Sequence, residues 1–210
     1  LDAVAADGIE FVFNTPNDKS RPGYLKMGWE VVGHLPAAVR FSGPLGAFRA
    51  LQARVPAELW PTRSTAGHAF DEWFALNPIE EFEAVDGALR TAWTSERVQW
   101  RYSLPELGYR VFEHRNTAVV FRLRRRGPAL ELVACGSFGD HSAAALDRTI
   151  GAAVRATRAS YGLRLGSPAW ARATVPLPGG GPVLTWRGVG QHTKPSPDQW
   201  ALTMGDIELF

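Results

Sequence analysis

FVFNTPNDKSRPGYLKMGW, residues 11–29, decides how the rest of the chain is read. Phe11, Val12 and Phe13 form a short apolar run of strand formers. A polar turn follows at residues 14–20, where Pro16 and Asn17 end the strand. Pro22 and Gly23 argue against a long helix, but near a first turn the missing proline donor costs little. A short helix is therefore expected, with Tyr24 on its inner face. Gly28 stops it, and Trp29 opens a second strand over 29–33.

Upstream, residues 1–6 are mostly small and apolar until Asp7-Gly8, which fits the end of a helix. Downstream, residues 34–46 are rich in Pro, Gly and small side chains and read as a connection. Residues 44–55 place Phe48, Leu51 and Val55 at helical spacing, and Pro56 ends the run. A short amphipathic helix is expected over 68–76. A further helix over 78–93 has Ile79, Phe82, Val85 and Leu89 on one stripe. Thr94 or Ser95 caps a helix leading to Trp100-Arg101-Tyr102. Three strands follow, at 109–113, 117–123 and 129–138, joined by turns as an antiparallel meander. The clearest helix is 140–161, capped by Asp140 or Ser142 and closed by Gly162, with Leu146, Ile150, Val154 and Tyr161 on one face. Strands at 173–176 and 183–188 flank a Pro-Gly-Gly-Gly-Pro turn, and 200–210 reads as a bulged strand.

The chain has 210 residues, 45% apolar and 21% charged, an ordinary globular composition. A net charge of +2 does not argue for nucleic acid. A single cysteine, Cys135, excludes an intrachain disulfide framework and suits the reducing cytoplasm. No apolar run approaches the roughly 18 residues of a membrane span. The histidines lack metal-ligand spacing.

Asn17, Ser20, Tyr24, Lys26, Gly28 and Trp29 have the spacing Asn-x-x-Ser-x-x-x-Tyr-x-Lys-x-Gly-Trp. This resembles the C-terminal motif of the GNAT superfamily of N-acetyltransferases. The resemblance implies that the Tyr24 hydroxyl lies near the sulfur of acetyl-coenzyme A, with Asn17 and Ser20 along the pantetheine arm and Lys26 toward a phosphate. It also implies an upstream Arg/Gln-x-x-Gly-x-Gly/Ala loop for the pyrophosphate. Only ten residues precede Phe11. The expectation is that the chain begins inside the last helix before that strand, with the loop in a missing N-terminal half of the same protein. Trp100-Arg101-Tyr102, Pro105 and Tyr109 resemble a second motif, found in proteins with two tandem GNAT-like halves. The implied fold is α+β, a mixed, largely antiparallel GNAT-like sheet flanked by helices, with a partial first GNAT half. The expected segments are residues 1–40, the end of a first GNAT domain; 41–93, a mostly helical connection; and 94–210, a second, degenerate GNAT-like domain.

Two functions stay open. The first is part of an N-acyltransferase that moves an acetyl group from acetyl-coenzyme A to a primary amine on a small molecule or peptide. Tyr24 would be the catalytic group. Reference pKa values of about 10 for tyrosine and about 8.5 for a thiol put full proton transfer uphill by roughly 2 kcal/mol. Hydrogen-bond stabilisation of the departing thiolate is the easier role. The second is a non-catalytic binding or scaffolding module, in which Tyr24 packs a helix on a sheet and Asn17 and Ser20 only build the turn. The basic run Arg122, Arg124, Arg125 and Arg126 reads as a solvated hairpin end.

Overall fold

The computed structural model describes residues 6–78, 88–168, 174–190 and 193–207. The fold is mixed α/β, with two largely antiparallel sheets flanked by helices. Three strands form the smaller sheet: β1 (Phe11–Asn14), β2 (Glu30–His34) and β10 (Val183–Gly188), in the order β1-β10-β2. Seven form the larger: β3 (Ala37–Phe41), β4 (His68–Ala69), β5 (Arg110–His114), β6 (Thr117–Arg126), β7 (Ala129–Gly139), β8 (Tyr161–Leu165) and β9 (Thr174–Pro176). Their order is β4-β5-β6-β7-β8-β3-β9. The helices are α1 (Arg21–Lys26), α2 (Pro44–Gln52), α3 (Phe70–Leu76), α4 (Ser95–Tyr102), α5 (Ala143–Thr157) and α6 (Met204–Ile207).

The two sheets exchange strands. The chain passes from β2 through Leu35 and Pro36 into β3, which enters the larger sheet between β8 and β9. It passes from β9 through residues 177–182 into β10, which enters the smaller sheet between β1 and β2. All four of these pairings are antiparallel, so β1, β2, β3 and β8, β9, β10 are matching sets. The crossing strands touch where they pass. Leu35 N–H donates to Pro182 O (3.0 Å), and Gly181 N–H donates to Leu35 O (3.1 Å). Gly181 is required by this close approach: a Cβ there would lie 2.4 Å from the Leu35 carbonyl oxygen.

The meander β5-β6-β7 forms as its β-branched and aromatic runs predict. Thr94 caps α4 through Arg97 N–H, and Ser142 caps α5 through Ala145 N–H. One core cluster joins the sheets through Leu35, Val111, Val133, Leu184 and Trp186. A second lies under α5 and a third under α2.

Several sequence expectations are corrected. Residues 34–46 are not only a connection, because β3 lies inside them. Ala37, Ala38 and Val39 are buried between two strands, where small side chains fit despite weak strand propensity. The helix expected over 140–161 ends at Thr157, where Arg158 takes a left-handed conformation (φ 55°) and reverses the chain. Gly162 is no helix stop. It lies in β8 under α5, where a Cβ would sit 2.5 Å from Ile150 Cγ2. Residues 200–210 do not form a bulged strand within the described part. Instead Asp206 accepts from the Thr203 N–H (2.6 Å) and hydroxyl (2.8 Å), and this starts the α6 turn. The stripe from Ile79 through Phe82 and Val85 falls outside the described residues; Leu89 forms a parallel bridge with Trp200.

Candidate functional site

The tyrosine motif is built as strand, short helix, strand: β1, α1, β2. Its residues account for both ends of α1. At the start, Asn17 Oδ1 accepts from Lys19 N–H (3.0 Å), Ser20 N–H (3.0 Å) and the Ser20 hydroxyl (3.2 Å). Asn17 and Ser20 thus form a side-chain-closed turn. At the end, Trp29 N–H donates to Tyr24 O (3.2 Å) and Gly28 N–H to Leu25 O (3.1 Å). Gly28 has φ +81°, so this is a glycine-stopped Schellman motif. Tyr24 and Trp29 make the apolar contact that accompanies it, edge to face at 5.1 Å and 88°.

This local account leaves three groups over. The Tyr24 side chain is half-buried, yet its hydroxyl has no hydrogen-bond partner among the described residues. Lys26 is exposed in the last turn, where the helix dipole favours a cation. Among the described residues the Asn17 amide nitrogen also has no partner, since every bond Asn17 makes there uses Oδ1 or its backbone. Tyr24, Asn17, Ser20 and Lys26 therefore share one short segment beside β1. On its other side β1 has no strand partner among the described residues, whereas the matching strand β8 has β7 there.

A crevice lies between β7 and β8. These parallel strands pair only from Glu131↔Tyr161 to Val133↔Leu163 and then diverge, with α5 starting just beyond β7. Clefts at the carboxyl ends of parallel strands are common ligand sites. Here the space is filled from three sides. Cys135 is the extra residue of a β7 bulge, and its carbonyl accepts from the Tyr102 hydroxyl (3.0 Å). Gly205 packs on both: a Cβ there would lie 2.2 Å from the Tyr102 hydroxyl oxygen and 2.5 Å from Cys135 O. Arg101 Nε donates to Gly205 O (2.7 Å), and its Nη1 donates to the Tyr109 hydroxyl (3.0 Å). From the helix side, Asp147 and Arg164 form a buried ion pair at 2.9 Å, and Arg164 also donates to Leu165 O and Ser167 O. A cavity of about 50 Å³ remains, bounded by Ala134, Ser137, Arg164 and Thr203. Burial holds the Tyr102 phenol well above its ordinary pKa, and the neighbouring Cys135 and Asp206 add to the shift.

The Trp-Arg-Tyr segment thus has a structural role in this chain. Arg101 and Tyr102 point inward and latch the C-terminal turn over the crevice, while Trp100 faces solvent. Sequence reasoning missed the Cys135 bulge, Asp147 and Gly205. Only Asp147 gave a signal, as a carboxylate between Leu146 and Ile150 on the apolar side of α5. The basic run is a solvated hairpin end only at Arg125, which is exposed. Arg124 and Arg126 pair with buried Glu131, which also accepts from the Tyr161 hydroxyl (2.7 Å), and Arg122 is buried. Among the described residues no group of three His, Cys, Asp or Glu side chains could hold a metal ion. None of their helices is long and apolar enough to cross a membrane.

No protein-family model matches the sequence, and no curated protein matches it. One solved structure similar to this chain is a GCN5-related N-acetyltransferase from Kribbella flavida, at 14% identity and a TM-score of 0.45. The match covers 90% of this chain and 45% of that one, so the chain spans about half the length of the structure it resembles.

Proposed function

We propose that this chain is part of an N-acyltransferase that moves an acetyl group from acetyl-coenzyme A to a primary amine, with Tyr24 at the reacting sulfur. The observation that carries this reading is the hydroxyl of half-buried Tyr24, which has no partner among the described residues, while Asn17, Ser20, Gly28 and Trp29 are used in the turns that begin and end its helix. A phenol without a local partner, beside an open strand edge, is available to a ligand.

In this reading the amine nitrogen bonds to the acyl carbon, the carbon–sulfur bond breaks, and the electron pair leaves on sulfur. The Tyr24 hydroxyl donates a hydrogen bond to that sulfur as charge develops. The nitrogen's surplus proton passes to solvent. Lys26 offers a cation to a coenzyme phosphate, and the Asn17 amide nitrogen and Ser20 offer polar contacts to the pantetheine arm. The free edge of β1 takes the strand that β8 receives from β7, supplied by a further N-terminal part of the same protein. The β7/β8 crevice, filled down to a cavity of about 50 Å³, has no room for a coenzyme, so in this reading the second half is a wall to the acceptor cleft. A single buried cysteine suits a cytoplasmic location.

One observation favours the alternative, a non-catalytic module. The open β1 edge and the exposed side chains of Phe13 and Val31 suit strand addition by a partner. Calorimetric titration of acetyl-coenzyme A into the full-length protein separates the two, combined with thiol release in the presence of amines. Saturable binding and amine-dependent thiol release are expected. Absence of both would leave the binding module.

A further inference from the structure

Helix α2 turns its small residues inward and its large ones outward. Gly46 is buried so tightly that a Cβ would lie 2.2 Å from the Ser160 carbonyl oxygen. Ala50, with Ala53 just past the helix, packs on the Val39, Ala129 and Tyr161 cluster. Leu45, Phe48 and Leu51 point to solvent, 62%, 57% and 72% exposed. The chain then displays Val55, Leu59 and Trp60, each at least 50% exposed. This stretch is held in place, because Glu58 N–H donates to Arg125 O (2.8 Å) and Thr62 N–H to Leu123 O (2.8 Å).

At about 200 Å² for the two aromatic side chains and about 150 Å² for Leu and Val, these six present on the order of 600 Å² of apolar surface. The largest apolar patch of a typical monomer is about 300–600 Å². A stable protein–protein interface buries about 800 Å² on each partner. We propose that this face is a two-fold interface between two copies of the chain. An isologous contact needs a self-complementary patch. The apolar centre meets that condition, and the exposed Arg54 and Glu58 at its edge carry opposite charges that can pair across the axis. The chain's net charge of +2 opposes association only weakly. A membrane surface fits less well, since residues 44–60 hold only Arg49 and Arg54 against Glu58 instead of a strongly basic face.

Sedimentation equilibrium of the chain tests this, with the double variant Phe48→Glu/Leu51→Glu as comparison. Both side chains are more than half exposed, so the fold tolerates the change, and an unaltered far-UV circular dichroism spectrum checks that. The wild type is expected to be dimeric at micromolar concentration and the variant at least ~100-fold weaker in self-association. Arg54→Glu is expected to weaken the dimer and Arg54→Glu/Glu58→Arg to restore it. A wild type monomeric at every concentration would overturn the proposal, as would a dimer indifferent to the double variant. Monomer that sediments with vesicles of anionic phospholipid would overturn it in favour of a lipid surface.

Discussion

Replacing Gly181 by alanine tests the strand exchange at its tightest point. The new Cβ would lie 2.4 Å from the Leu35 carbonyl oxygen and 3.0 Å from Ala37 Cβ. The first contact is with backbone, so relief requires the two crossing strands to move apart by nearly 1 Å. Gly181 N–H donates to that same oxygen, and Leu35 N–H donates to Pro182 O next door. Leu35 is buried, so a broken bond leaves polar groups without water. Overpacking costs about 1–3 kcal/mol, and one unsatisfied buried group about 1–3 kcal/mol. Allowing for overlap, the expected loss is about 2–4 kcal/mol. For a chain of this size that lowers Tm by roughly 5–15 °C. Thermal and urea unfolding followed by circular dichroism measure it, with Gly23→Ala in α1 as reference. Nothing lies within 4 Å of a Cβ at Gly23, so that variant is expected to be neutral or slightly stabilised. If Gly181→Ala matches Gly23→Ala, the crossing strands do not hold the sheets together as argued.

Further outcomes follow from the same contacts. Because each sheet contains a strand from the other set, tryptophan fluorescence and far-UV circular dichroism are expected to report one coincident unfolding transition; two separated transitions would contradict the linkage. Asp147→Asn strands buried Arg164 without its counter-charge and is expected to cost about 3–5 kcal/mol by urea unfolding. Tyr102→Phe leaves Cys135 O without its donor and is expected to cost about 1–3 kcal/mol near neutral pH. The Tyr102 phenol is raised in the folded state, so the folded chain keeps its proton where the unfolded chain loses it. Its contribution is fully present below the unfolded pKa of about 10 and falls as pH rises above it. Thermal scans from about pH 8 to about pH 11 should therefore show a shallower alkaline loss in Tyr102→Phe than in the wild type.

Local patterns made much of the fold legible. The β5-β6-β7 meander and the start of α5 follow from alternating apolar residues and from Ser142 as a cap. The tyrosine segment was also readable, because Asn17 closes the turn before the helix and Gly28 stops it by rules that need no tertiary context. β3 was not readable. Alanines carry no strand signal, and only burial between β8 and β9 makes Ala37 and Ala38 strand residues. Gly162 looked like a stop because its actual requirement, the closeness of Ile150, lies across the core. The strand exchange and the latch formed by Arg101, Tyr102 and Gly205 join residues that are distant in sequence, so no local pattern could reveal them. In the candidate site, the motif spacing pointed to Tyr24. That its hydroxyl has no partner among the described residues, while Asn17 and Ser20 are used in the turn, emerged only with the fold.

The most direct test of the account is single-turnover acetyl transfer by the full-length protein with Tyr24→Phe. The substitution keeps the ring against Trp29 and removes only the hydroxyl. The account predicts a fall of about 10²–10³-fold in the transfer rate, with acetyl-coenzyme A affinity unchanged. An unchanged rate in a variant that still binds the coenzyme would contradict the role assigned to Tyr24.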